Sequence, residues 1–147
     1  MIYTNYFAVL VAAVAAMVLG YLWYGPLFGK QREALTGWQT DPRGTMSPQT
    51  GTGGKGTSVR NYAFMFFALL LMSFTLSHLI SLLALYAGFT GIVAGVEAAC
   101  MGWFGFIVPS SIGVVLWERR PWRLWLLNGG YYLAILLIMG IILGAWR

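Results

Sequence analysis

The sequence has few charged residues. Of its 147 residues 9% are charged, with four acidic and nine basic side chains, whereas an ordinary globular domain has about a quarter. So few charges cannot cover the surface of a water-soluble domain of this length. The shortage argues against a soluble enzyme, a nucleic-acid-binding module and a disordered tail. With 59% hydrophobic residues and a mean hydropathy of +0.74, it predicts an integral membrane protein.

Cysteine and histidine are equally scarce. The single cysteine, Cys100, permits no intrachain disulfide, and one Cys with one His are too few ligands to predict a zinc or haem site. We therefore predict no metal and no cofactor. The N-terminus has no Lys or Arg before its first apolar run. It lacks the basic region of a cleavable signal peptide, so we expect this run to be retained as a membrane span.

Four apolar segments are long enough to cross a bilayer, which takes about 20 residues of helix. They cover residues 4–24, 61–87, 92–117 and 122–146. No segment shows the alternation of a barrel strand, so we predict an all-α integral membrane protein, a single-domain bundle of four transmembrane helices. Gly25-Pro26 is expected to end the first span. Between the first two spans, residues 30–38 favour a short interfacial helix and the Gly- and Thr-rich residues 40–58 a flexible linker.

The basic residues predict the orientation of the spans. Eight of the nine lie in or beside the first and third loops, and the second loop has none. Because cytoplasmic loops carry the excess of Lys and Arg, both termini are expected on the outer side of a bacterial inner membrane. An interfacial collar of aromatic and basic residues would lie at the cytoplasmic face, comprising Trp23, Tyr24, Arg119, Arg120, Trp122 and Arg123. Such a collar anchors the helix ends, or it binds anionic lipid headgroups.

Small residues at four-residue spacing mark helix faces that can pack closely in a membrane. They are Ala8, Ala12, Ala16 and Gly20 in the first span, Ser73, Ser77 and Ser81 in the second, Gly91, Gly95 and Ala99 in the third, and Gly140 and Gly144 in the fourth. We expect a compact bundle from these stripes. Because a monomer this small needs only some of them, we also expect a homo-oligomer or a larger membrane complex.

Two ionisable residues fall inside the spans, His78 in the second and Glu97 in the third. Such groups are costly in a membrane and are functional candidates by default. Both lie about 9–12 Å below the outer surface at 1.5 Å per residue. Ser81 shares the His78 face, and Cys100 lies one turn from Glu97. The group is open to four interpretations: a proton or small-cation site, a metal site that includes Cys100, a structural hydrogen-bonded pair, or a Glu97 that reaches the interface.

A second polar group lies nearer the cytoplasmic side. Ser110 and Ser111 match the depth of Asn128, and Pro109 frees a backbone carbonyl one turn earlier. We expect a hydrogen bond between Asn128 and a serine beside a kink. The alternative is that these side chains line a small cavity.

Three motifs are similar to one known family. They are LWYGPLFGK at residues 22–30, ERRPW at 118–122 and NGGY at 128–131. With the spacing of the apolar segments, they resemble a family of small bacterial membrane proteins, catalogued as domain of unknown function seventeen sixty-one. The resemblance covers nearly the whole chain except the insert at residues 40–58. It implies four spans, no established chemistry and no functional residues.

The residue pattern favours a structural or accessory subunit, or a self-assembling oligomer. We expect no enzymatic activity, because nothing resembles a nucleophile elbow and the neighbours Ser77 and His78 face different sides of a helix. The alternative function is an oligomeric proton or small-solute channel or transporter in which His78 and Glu97 line a wet path. The lack of an evident inverted repeat weighs against an ordinary transporter.

The orientation is testable with reporter fusions. We expect alkaline phosphatase, which is active only outside the cytoplasm, to be active when fused after Arg147 and inactive when inserted at Gly54. A fluorescent protein that folds only in the cytoplasm should give the opposite pattern. Phosphatase that is active at Gly54 and inactive after Arg147 would contradict the predicted orientation and indicate the opposite one.

Overall fold

The computed structural model describes residues 5–36, 38–40, 46–48 and 57–146, and the side chains of residues 5–35 and 59–146. The helices are α1 (Tyr6–Leu22), α2 (Gly29–Thr36), α3 (Thr57–Tyr86), α4 (Gly91–Gly102), α5 (Val108–Glu118) and α6 (Trp122–Ala145). Two π-helical segments, Trp23–Leu27 and Trp103–Ile107, continue α1 and α4. The short strands β1 (Trp38–Thr40) and β2 (Met46–Pro48) pair antiparallel.

Four helical stretches are long and apolar enough to cross a membrane. They are Tyr6–Leu27, Val59–Tyr86, Gly91–Glu118 and Trp122–Ala145. The first and last residue of each stretch lie within three residues of the bounds predicted for that span. The prediction of four helices that are long and apolar enough to span a membrane is confirmed.

The two ends of the described chain lie together at one end of the bundle. The Asn5 side chain caps α1 by accepting hydrogen bonds from the backbone N–H groups of Phe7 and Ala8, and its amide donates to the Trp146 carbonyl at 3.3 Å. The rings of Phe7 and Trp146 meet edge to face, 5.6 Å apart. We call the opposite end, which carries α2 and the turn at residues 119–121, the basic end.

The first span does not stop at Gly25-Pro26 as expected. Pro26 has no N–H to donate, and its ring would clash with the carbonyl of Leu22 in a regular α-helix. The helix instead widens, and the Phe28 N–H donates to the Trp23 carbonyl five residues back at 2.9 Å. This wider turn accommodates the proline and carries the span to Leu27.

The loop between the first two spans is more structured than predicted. The interfacial helix ends at Thr36 rather than at residue 38, because Trp38 begins β1. Residues 46–48, expected in a flexible linker, form β2, and α3 begins at Thr57 within the linker's last residues. The rest of the linker, residues 41–45 and 49–56, lies outside the described residues.

The small-residue stripe of α1 packs inside the bundle. Ala8, Ala12 and Ala16 are buried, and the Ser73 hydroxyl of α3 donates to the Val9 carbonyl of α1 at 3.0 Å. In lipid, where the hydrophobic effect does not hold helices together, such close packing and interhelical hydrogen bonds do so. The stripe of α3 therefore contacts α1 through Ser73, and Gly20 of the α1 stripe faces Tyr131 of α6.

The other two stripes join α4 to α6. A Cβ atom at Gly95 would overlap the carbonyl of Gly140, and one at Gly144 would overlap the carbonyl of Gly91. The backbones of the two helices thus touch at both glycine pairs. Gly91 also has a positive φ of 60°, a conformation that glycine adopts without strain. All four stripes therefore make contacts within one chain.

The third span is the most exposed of the four. Within an apolar stretch of 18 residues in this span, only 11% of the residues are buried inside the bundle, whereas 44% are buried in the corresponding stretch of the fourth span. Val93, Met101, Phe104 and Phe106 have half or more of their surface exposed. The outward face of α4 and of its π-helical continuation is therefore not covered by other described parts of the chain.

Substitution of Gly95 tests the backbone contact. We expect Gly95→Ala to lower the free energy of unfolding by about 1–3 kcal/mol, the usual cost of overpacking, because its methyl group meets a backbone carbonyl. The matched control is Gly102→Ala in the same helix, where a Cβ has no neighbour within 4 Å. Unfolding in mixed micelles measures both variants. Equal stability of the two variants would contradict the contact.

Candidate functional site at the basic end

The two ionisable residues inside the spans do not meet. The Nδ1 atom of half-buried His78 lies 3.0 Å from the Phe74 carbonyl oxygen, and the two rings pack with centroids 4.4 Å apart. Glu97 is exposed on the outward side of α4. Among the side chains that the structure describes, no hydrogen bond or ion pair joins His78 to Glu97. The pair that their similar depths suggested is not formed within one chain.

The packing of α4 explains the position of Glu97. Gly95, Ala98 and Ala99 are buried, and Gly95 touches the backbone of α6. At 3.6 residues per turn, Glu97 lies about 200° around the helix from Gly95. The glycine contact therefore directs Glu97 away from the bundle.

The neighbours predicted for this group are also separate. The buried Ser81 hydroxyl donates to the Ser77 carbonyl at 2.9 Å, and Cys100 is a half-buried free thiol. In the described ranges, no three His, Cys, Asp or Glu side chains cluster as metal ligands would. The structure does not assemble these residues into one site.

The serines near Pro109 bond to their own helix. The Ser110 hydroxyl donates to the Phe106 carbonyl and the Ser111 hydroxyl to the Ile107 carbonyl. Serine hydroxyls commonly bond in this way to a carbonyl one turn earlier in the same helix. Both serines are therefore paired within their own span, next to the π-helical segment that ends at Ile107.

The predicted hydrogen bond between Asn128 and a serine does not form. Ser111 instead accepts a hydrogen bond from the indole N–H of Trp125 at 2.9 Å. The Asn128 side-chain oxygen accepts from the Tyr24 hydroxyl at 3.1 Å. The similar depths of Asn128 and the serines did not identify the partner of Asn128, because Asn128 lies on the side of α6 that faces the first span.

Tyr24 is the centre of a group of aromatic and polar side chains. Besides its hydrogen bond to Asn128, its ring lies 4.7 Å from that of Tyr131 and 4.1 Å from the guanidinium carbon of Arg32. A cation over an aromatic face is attracted by the ring quadrupole. We call Tyr24, Arg32, Asn128 and Tyr131 the Tyr24 cluster. It connects the first span, α2 and α6 at the basic end.

Local sequence brings Arg32 over Tyr24. α2 follows the first π-helical segment, and the backbone N–H of Arg32 donates to the Phe28 carbonyl at 3.0 Å. The start of α2 passes so close to Tyr24 that a Cβ at Gly29 would lie 2.9 Å from the Tyr24 carbonyl oxygen. Glycine at position 29 therefore lets α2 begin directly against the tyrosine.

Two tryptophans flank the glycine pair of α6. The Trp103 indole N–H donates to the Gly129 carbonyl at 2.8 Å. A Cβ at Gly130 would lie 3.6 Å from the Trp23 ring. Each tryptophan is the first residue of a π-helical segment. The glycines allow both large rings to approach the α6 backbone.

The predicted interfacial collar divides into two parts. Trp23 and Tyr24 are half-buried and turn toward the bundle, whereas Arg119, Arg120 and Trp122 are exposed. Arg120 lies 3.9 Å from the Glu118 carboxylate, a surface pair that contributes little stability. The sixth member, Arg123, lines a cavity beside Trp23.

This cavity, the basic-end cavity, lies between α2 and the first turns of α6. Its volume is about 630 Å³, within the usual range for ligand sites of about 300–1,000 Å³. Its lining residues are Trp23, Phe28, Gln31, Ala34, Leu35, Arg123, Leu126, Leu127 and Gly130. A smaller groove of about 330 Å³ lies between α3 and the third span, and its lining is almost entirely apolar.

Two of the three motifs noted in the sequence, residues 22–30 and 128–131, therefore meet in space. Residues 22–30 supply Trp23, Tyr24 and Gly29, and all four residues 128–131 contact or face the aromatic rings of the π-helical segments. A family model described as a protein of unknown function (DUF1761) matches residues 7–144. The chain belongs to the DUF1761 family. No curated protein and no solved structure matches the chain.

Three residues of this region, Arg32, Trp103 and Tyr131, belong to none of the candidate sites that the sequence predicts. Arg32 serves there only as one of the basic residues that predict the orientation. The one available signal was the glycine pair at 129–130. Adjacent glycines weaken a helix, so their presence indicates a close approach by another group.

A double-mutant cycle tests the Tyr24–Asn128 hydrogen bond. We expect Tyr24→Phe and Asn128→Ala to be coupled by about 0.6 kcal/mol, the average for such bonds between membrane helices. The control is Tyr21→Phe, because Tyr21 is 66% exposed, and its coupling to Asn128→Ala should be zero. Unfolding in mixed micelles provides the four free energies. Zero coupling for Tyr24 would contradict the bond.

Proposed function

We propose that this protein is a structural subunit of the bacterial inner membrane that self-assembles through its third span. The observation that carries the proposal is the outward face of α4, which is apolar and exposed but includes the carboxyl group of Glu97. The four small-residue stripes make contacts within the chain. They hold the bundle together and leave the face around Glu97 for association.

The position of Glu97 supports association within the membrane. It lies six residues after Gly91, about 9 Å along the helix, and Val93 and Met101 on either side of it are exposed and apolar. A carboxyl group facing lipid tails is costly. Hydrogen bonding to a polar group on another helix reduces that cost.

A second copy of the chain supplies such a group. In a dimer with two-fold symmetry the same surface is used on both subunits, so two Glu97 side chains face each other. The two carboxyl groups then share a hydrogen bond across the interface. The apolar neighbours of Glu97 pack around this contact.

The proposal includes no enzymatic reaction and no transport path. A proton path through Glu97 and His78 within one chain gains no support from the geometry, because His78 bonds to its own helix and Glu97 faces outward. The proposed orientation places both termini outside and the basic end in the cytoplasm. It is supported by the concentration of basic residues around α2 and the turn at residues 119–121.

Cysteine crosslinking in native membranes tests the association. In a Cys100→Ala background, we expect Val93→Cys or Met101→Cys to form a disulfide-linked dimer on oxidation, because these residues flank Glu97. The matched controls are Val18→Cys in α1 and Leu71→Cys in α3, which are 55% and 59% exposed and should remain monomeric. Dimers of equal yield at all four positions indicate random collision and would contradict the proposal.

The role of Glu97 is tested in the same assay. We expect Glu97→Gln to keep the crosslinked dimer, since an amide both donates and accepts hydrogen bonds. Glu97→Leu should reduce the dimer yield several-fold. An unchanged yield with leucine would show that apolar packing alone joins the copies. Crosslinks to a different protein would contradict self-assembly and indicate that this protein is an accessory subunit of a complex with that protein.

A further inference from the structure

The basic-end cavity has one wall on α2 and one on α6. Leu35 of α2 and Leu126 and Leu127 of α6 line it, with Phe28 at the connection between the first span and α2. These side chains offer an apolar surface next to the outer surface of the bundle. An apolar chain, rather than water alone, suits such a lining.

The polar groups at the cavity are hydrogen-bond donors or can act as donors. Arg123 contributes a guanidinium and Gln31 a side-chain amide. The indole nitrogen of Trp23 is buried, and it has no hydrogen-bond acceptor among the residues that the structure describes. None of the described residues that line the cavity is acidic. Its charge complements an anion.

The two kinds of lining are ordered along α6. Arg123 is the second residue of the helix, and Gly130 lies seven residues further, about 10 Å deeper in the membrane. Pro121 caps α6 without a side-chain hydrogen bond, and the N-terminus of a helix favours negative charge. The cavity is thus cationic at the membrane surface and apolar toward the membrane interior.

We propose that the basic-end cavity binds an anionic phospholipid from the surrounding bilayer. The phosphate group lies at Arg123 and accepts hydrogen bonds from its guanidinium and from Gln31. The Trp23 indole donates to an ester or phosphate oxygen. One acyl chain lies against Leu126 and Leu127. This lipid site is independent of self-assembly through the third span, which lies on a different face.

Lipid retention by the purified, full-length protein tests the site. Native mass spectrometry compares phosphatidylglycerol with phosphatidylcholine of the same acyl chains, and inorganic phosphate is measured alone. We expect the protein to retain phosphatidylglycerol preferentially. Arg123→Gln should weaken that binding about five-fold, as expected for one cation at a membrane surface. The matched control, Arg119→Gln, removes an equally exposed charge that does not line the cavity.

A second variant tests the apolar part of the cavity. Ala34→Trp fills the space from α2, where Ala34 is exposed and outside the bundle core, and we expect it to abolish selective lipid retention. If Arg119→Gln and Arg123→Gln lose the same amount of bound phosphatidylglycerol, the binding depends only on general surface charge, and this result would overturn the proposal. Binding of inorganic phosphate as tight as that of phosphatidylglycerol would also overturn it. So would full lipid retention by Ala34→Trp, or a bound protein in place of lipid.

Discussion

The backbone contact between α4 and α6 determines much of this structure. At the pairs Gly95–Gly140 and Gly91–Gly144, no side chain separates the two helices. In a membrane, where lipid tails are as apolar as leucine, such close packing supplies the attraction that the hydrophobic effect does not. The contact also fixes the rotation of α4. Because Gly95 must face α6, Glu97 faces away from the bundle, and Val93 and Met101 on either side of it are also exposed.

A second constraint acts at the basic end, where proline interrupts two of the spans. Pro26 and Pro109 remove backbone donors, and the helices widen into π-helical segments near both residues. Such segments are frequent at functional sites. Here each begins with a tryptophan that reaches the glycine pair of α6. Residues 22–30 and 128–131 thus lie together in one region of the bundle.

Two surfaces of different chemistry result from these constraints. The third span presents an apolar face with one carboxyl group, which suits another helix in the membrane. The basic-end cavity combines a guanidinium, an amide and an indole N–H with leucine and phenylalanine side chains, which suits an amphiphile at the membrane surface. The bundle core between them is occupied by small residues and by Ile80, Ile135 and Met139, each fully buried. The protein therefore offers its chemistry at its periphery.

The sequence by itself determined the solvent, the number of spans and the faces that pack, because scarcity of charge, apolar run length and small-residue spacing are local properties. It did not determine which polar groups meet. His78 and Glu97 have similar depths but face different directions, and Asn128 bonds to Tyr24 rather than to the serines of the neighbouring helix. Depth follows from residue counting, whereas the rotation of each helix follows from its contacts. Only the tertiary structure supplies those contacts, and with them the Tyr24 cluster and the outward position of Glu97.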